Sequence, residues 1–98
     1  MDKQFNKIKK LLTSHREQLS KLGGYHMAIF GSIARDEATE ESDVDILVDF
    51  DSKMGLFGFA DLRFYLEGIL GRHVDLVTRR ALHPALKARI LSESKKIF

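Results

Sequence analysis

The sequence predicts an α/β (α+β) domain: a small mixed β-sheet of three or four strands with helices packed on one side. Three observations carry this. Ninety-eight residues with 44% hydrophobic and 31% charged content fit one domain over residues 1–98, because domains usually run to roughly 50–200 residues and disordered chains are poorer in apolar groups. Helical and strand-like hydrophobic periods alternate in the order α-β-α-β-α-β-α. Glycines and polar runs separate them, with no internal repeat or linker.

Phe5, Ile8, Leu11, Leu12, Leu19 and Leu22 recur near a 3.6-residue period with lysines between them, predicting one amphipathic helix that stops at Gly23-Gly24. The run YHMAIF then reads as a strand entering a tight turn at Gly31-Ser32, followed by a short helix from about Ser32 to Ala38. In DVDILVDF, Val44, Ile46, Val48 and Phe50 alternate with Asp43, Asp45, Leu47 and Asp49, which gives a strand with one core face and one mostly acidic face. Phe59, Leu62, Leu66, Ile69 and Leu70 mark a helix over 56–70 capped by Gly71. HVDLVT is a third strand, with Val74 and Leu76 on one face and His73, Asp75 and Val77 on the other. Pro84 suits the first turn of a last helix over 84–93, with Leu82, Leu86 and Ile90 facing inward.

Composition excludes several classes of function. With no cysteine, disulfide scaffolds, thiol nucleophiles and cysteine-ligated zinc or iron–sulfur centres are out. His15, His26, His73 and His83 lack metal-binding spacing. No apolar stretch approaches a membrane span, and the lysine-rich start MDKQFNKIKK does not read as a secretory signal, so a cytoplasmic location is expected. The net charge of +2 hides strong segregation: both ends are basic, while Asp36, Glu37, Glu40, Glu41, Asp43, Asp45, Asp49 and Asp51 form a block without a single Lys or Arg. Such a block is either a solvated loop or a cation site.

Spacing separates its members. Asp43 and Asp45 lie two apart on a strand, so both carboxylates project from one face with Cα atoms about 6.5 Å apart. They can share a cation, and Mg²⁺ takes one or two protein carboxylates together with water and substrate phosphates. Asp75, at the centre of the next strand, is the candidate third carboxylate, since an aspartate there needs a partner to offset its desolvation. Asp49, about 13 Å along the strand from Asp45, is too far to join them. Glu40, Glu41 and Asp51 read as surface groups. Gly31-Ser32 permits close backbone approach and supplies a hydroxyl before a helix, a place for triphosphate oxygens, although by itself it reads first as a plain turn and N-cap.

In combination these residues are recognisable. GSIARDEATEESDVDILVDF resembles the G-S-x10-D-x-D signature of the DNA polymerase beta-like nucleotidyltransferase superfamily, and most closely the minimal nucleotidyltransferases. The likeness runs on through GLFGFADLRFYLEGILGRHVDLVT to the basic final helix. It implies the nucleotidyltransferase fold, with Gly31 and Ser32 on the triphosphate of ATP, Asp43 and Asp45 bridging two Mg²⁺ ions, and Asp75 on the ion that activates the attacking hydroxyl. Arg35 and Glu37 match as well; Arg35 either steadies phosphates as a nucleotide-binding residue or pairs with an acid. Many relatives carry glycine where Asp36 stands, so the turn or the local charge is open to change. Many minimal nucleotidyltransferases accompany a HEPN-type ribonuclease toxin and act as its antitoxin by transferring AMP to a tyrosine of the toxin. That reading fits a chain with no second lobe to present an acceptor. A non-catalytic binding antitoxin, and half of a two-component transferase for a small hydroxylated molecule, remain alternatives. Direct nucleic-acid binding through the basic ends is the weaker expectation, because cations spread over an amphipathic helix usually form a solvated face.

Overall fold

A computed structural model describes residues 3–98; Met1 and Asp2, the start of the lysine-rich segment, lie outside the described residues. The elements run α1 (Lys3–Ser14), α2 (Arg16–Lys21), β1 (Gly24–Phe30), α3 (Gly31–Ala34), β2 (Val44–Phe50), α4 (Gly55–Leu70), β3 (Val74–Thr78), α5 (Pro84–Glu93) and β4 (Lys95–Lys96). The strands form one mixed sheet in the order β3-β2-β1-β4, with β2 and β3 parallel and the other two pairs antiparallel. No helix among the described residues is long and apolar enough to cross a membrane.

Strand alternation builds the core. Met27 and Ile29 of β1, Val44, Ile46 and Val48 of β2, and Val74 and Leu76 of β3 bury one face of the sheet under Phe5, Ile8 and Leu12 of α1, Leu19 of α2, and Leu62 and Leu66 of α4. Each fully buried aliphatic side chain here contributes about 1.5–3 kcal/mol. The opposite face is mostly open and carries the aspartates, but Ala28, Leu47 and Leu82 form a small second cluster on it, topped by Ile90 and Leu91 of α5.

Several expectations need correction. The first helix is two helices, because the Ser14 hydroxyl donates to the Leu11 carbonyl and His15 Nδ1 lies 2.9 Å from the same oxygen. The His15 backbone N–H turns instead to Leu12, three residues back, and the helix breaks there. The hydrophobic register survives, since Leu12 and Leu19 are both fully buried. The helix expected over 32–38 is a single turn ending at Ala34. Asp36 closes it at φ +58°, with Asp36 N–H donating to Ile33 and Glu37 N–H to Ser32. This is the Schellman arrangement, whose left-handed position usually belongs to glycine. The substitution noted at Asp36 therefore retains the turn at the expense of backbone strain. Leu86, expected to face inward, is exposed, and Leu91 packs against the second cluster in company with Ile90. The chain end supplies an element too short to show a period: β4 pairs with Ala28 and Ile29, and Ile97 and Phe98 beyond it are buried in the main core.

Candidate active site

Parallel pairing of β2 and β3 sets Asp45 directly beside Asp75, and both belong to the face opposite the main core. Phe30 is the partner of Asp45 on the β1 side. Asp43, immediately before β2, is exposed, and its Oδ1 lies 3.3 Å from His73 Nδ1. The loop that delivers Asp43 is anchored by Arg72, whose guanidinium donates to the carbonyls of Ser42 and Thr39 and to Gln4 Oε1.

Asp45 is the electrostatic centre of the group. Its carboxyl is pushed up to about 6, first by burial, then by the negative charges of Asp75 and Asp43, against the opposing pull of Arg35. The charges of Asp75 and Asp43 bear on the Asp45 carboxyl, and a hard divalent cation held there would remove that repulsion. Among the described residues no three acidic or histidine side chains already converge into a metal cage. The arrangement fits Mg²⁺, an ion that keeps water and phosphate oxygens in its shell and needs only one or two carboxylates from the protein.

The Gly31 turn lies against this group. Gly31 has φ +73°, and a Cβ built on it would fall 2.0 Å from Asp45 Oδ2, 2.9 Å from Cγ and 3.3 Å from the Asp45 Cβ. Only glycine allows the backbone to approach the carboxylate so closely. Ser32 follows in α3 and is half-buried.

Arg35, for which two roles were open, is paired with acids: Nε donates to Glu37 Oε1 at 2.9 Å and Nη1 to Glu93 Oε2 at 3.1 Å. These bonds, Glu93 first, hold its guanidinium above its ordinary value. Glu93, at the end of α5, also accepts a 3.3 Å hydrogen bond from the Gly31 N–H across 62 residues of sequence. Glu93 belongs to none of the motifs in the sequence. Its one signal was its standing as the only acid among six basic groups in residues 79–98. The rest of the acidic block is elsewhere, as expected: Asp49 pairs with Arg79 at 2.8 Å, Asp51 caps the Ser52–Met54 turn, and Glu40 and Glu41 are exposed.

Comparison with known proteins shows the family. Residues 8–97 match the family described as Nucleotidyltransferase domain. The chain is 42% identical over 87 residues to protein adenylyltransferase MntA of Thermococcus cleftensis, covering 88% of both chains. It superposes on a structure provisionally described as a minimal nucleotidyltransferase with TM-score 0.72 and 38% identity, over 89% of this chain and 93% of that one. A chain from a toxin–antitoxin crystal structure with AMP-PNP superposes with TM-score 0.67 and 25% identity, over 95% of this chain and 71% of that one. The family match over residues 8–97, the 42% identity to a protein adenylyltransferase and the superposition on a minimal-type structure place the chain in the nucleotidyltransferase domain family, as a nucleotidyltransferase of the minimal type.

Proposed function

We propose that the protein is a Mg²⁺-dependent protein adenylyltransferase that moves AMP from ATP to a hydroxyl, a tyrosine in our reading, of a HEPN-type ribonuclease toxin, and so acts as an antitoxin. The observation that carries this reading is the register pair Asp45–Asp75 with the Gly31 turn packed against Asp45, which brings two carboxylates and a glycine turn together. The name of the Thermococcus relative and the toxin–antitoxin neighbour with AMP-PNP support the nucleotide and the class of partner.

In the reaction the acceptor oxygen bonds to the α-phosphorus, the bond from that phosphorus to the leaving pyrophosphate breaks, and the hydroxyl proton is released. A pair of divalent ions, when bound, supplies neutralisation of the entering and leaving oxygens. Asp43 and Asp45 would hold both ions and Asp75 the one on the acceptor side. Gly31 admits the phosphates close to the backbone, and the Ser32 hydroxyl donates to them. Arg35 lends positive charge behind the turn while its acid partners hold it in place. A groove of about 390 Å³ lined by Lys3, Lys7 and Arg72 lies on the α1 side, whereas the aspartates stand on an open face. An open site suits an acceptor presented by another macromolecule.

The test is covalent labelling. Incubated with its HEPN-type partner, Mg²⁺ and α-labelled ATP, the protein should leave AMP on the partner, which then stays inactive after this protein is removed. Asp75→Asn, nearly isosteric, should keep the fold and lose the labelling. Inhibition that persists without a mass increase on the partner would refute AMP transfer for that pair. Protection only while the two proteins remain bound would mark a binding antitoxin instead.

A further inference from the structure

We propose that Glu93 is a positioning residue for nucleotidyl transfer: its carboxylate ties the last helix to both ends of α3 and so holds the Gly31 turn against Asp45. The proposal rests on the transferase reading above and adds a residue to it.

α3 is short. Ile33 and Ala34 seat the middle of α3 in the main core, and the Asp36 and Glu37 N–H groups close its C-terminal side, but a helix of four residues has no further turn to fix its N-terminal end at Gly31. A contact from outside the turn holds that end. At its N-terminal end the Gly31 N–H donates to Glu93 Oε1, and at its C-terminal end Arg35 Nη1 donates to Glu93 Oε1 at 3.3 Å and Oε2 at 3.1 Å. One carboxylate therefore grips both ends of the turn. It is only 18% exposed, whereas Glu17, in the Lys21–Glu17 pair, is 89% exposed. A bond from a buried backbone amide is not one that solvent readily replaces.

The turn in its grip is the one that touches the aspartates. Because no Cβ fits between Gly31 and Asp45, displacement of the turn either drives Asp45 aside or opens a gap beside it. Glu93 also adds a negative charge to the surroundings of Asp45, where it helps to hold that carboxyl up. An acid kept in an already acidic place works against the charge balance of the site, which is consistent with a role in geometry. The fold gives Glu93 its leverage: α5 ends there, and the chain enters β4, which pairs with β1 directly before the turn. The two anchors of the tie are thus carried on one sheet.

Two substitutions separate positioning from charge and from plain stability. Glu93→Gln keeps an oxygen able to accept from Gly31 and Arg35 but removes the charge, and Glu93→Ala removes both. Amide hydrogen exchange at Gly31 is read without any partner or nucleotide, with Ile46 in the core as the reference. Glu93→Ala should speed exchange at Gly31 by at least about tenfold relative to Ile46, with Glu93→Gln within about threefold of the unaltered protein. In the labelling assay, Glu93→Ala should lower kcat at saturating Mg-ATP by about 10- to 100-fold, the scale of a small misplacement of reacting groups, with KM for ATP within about threefold. Glu93→Gln should rescue most of the kcat. Equal damage by Gln and Ala, parallel acceleration at Gly31 and Ile46, or an unchanged kcat in the Ala variant would each overturn the proposal. If the unaltered protein transfers no AMP, the transferase reading fails, while exchange at Gly31 still decides whether Glu93 holds the turn.

Discussion

Replacing Gly31 with alanine tests the contact on which the site is built. Two costs add. At φ +73° any residue with a Cβ takes on left-handed backbone strain of about 1–2 kcal/mol. The new Cβ would also meet Asp45 at 2.0, 2.9 and 3.3 Å on Oδ2, Cγ and Cβ. Since the crowding reaches back along the side chain, rotating the carboxylate does not clear it, and overpacking of this kind costs about 1–3 kcal/mol. The sum, about 2–5 kcal/mol, is a large share of the roughly 5–15 kcal/mol typical of a folded domain. Gly71 is the control. It caps α4 at φ +63° with nothing within 4 Å of a built Cβ, so Gly71→Ala incurs the backbone cost only. Urea unfolding of both variants, metal-free, should show Gly31→Ala less stable than Gly71→Ala by about 1–3 kcal/mol. Calorimetric titration with Mg-ATP should show binding lost in Gly31→Ala and kept in Gly71→Ala. Equal stability of the two variants, together with unaltered Mg-ATP binding in Gly31→Ala, would refute the claim that the turn rests on Asp45.

Three further outcomes follow from the same geometry. Asp45, with its folded value raised to about 6 from 3.8, favours the protonated form when folded, so the metal-free protein should lose stability as pH rises from 4 through 6. Asp45→Asn should therefore be more stable than the unaltered protein at pH 7.5 and about equal to it below pH 4, compared by urea unfolding at each pH. Mg²⁺ with ATP should raise the Tm, and ATP with a chelator should do much less, because the ion offsets the repulsion among Asp43, Asp45 and Asp75; an Asp43→Asn, Asp45→Asn double variant that still binds Mg-ATP normally would contradict the site. Asp36→Gly relieves the left-handed strain at φ +58° and should stabilise the protein by up to about 1 kcal/mol, a rise of roughly 4–8 °C in Tm for a chain of this size.

Local chemistry determined much of this protein before any tertiary contact was known. Alternation in DVDILVDF and HVDLVT sets which side chains leave each strand together, so the aspartates had to share the face opposite the valines. Pro84 opens α5 and Gly71 closes α4 where the sequence indicated, because each acts through its own φ. Other features depended on partners far away in the chain. Parallel register, which no single strand encodes, put Asp75 beside Asp45. Leu47 looked like an apolar member of an acidic face until α5 folded over it. The break at His15 arose from side chains competing for one carbonyl, which periodicity does not record. Glu93 stands out in sequence only as the single acid of a basic segment, which says nothing of its place, since it meets Gly31 across 62 residues. Periods and caps are set by neighbours a few residues apart and can be read in order. Contacts between distant segments exist only once the sheet has brought those segments together, and they determine how the Gly31 turn is held.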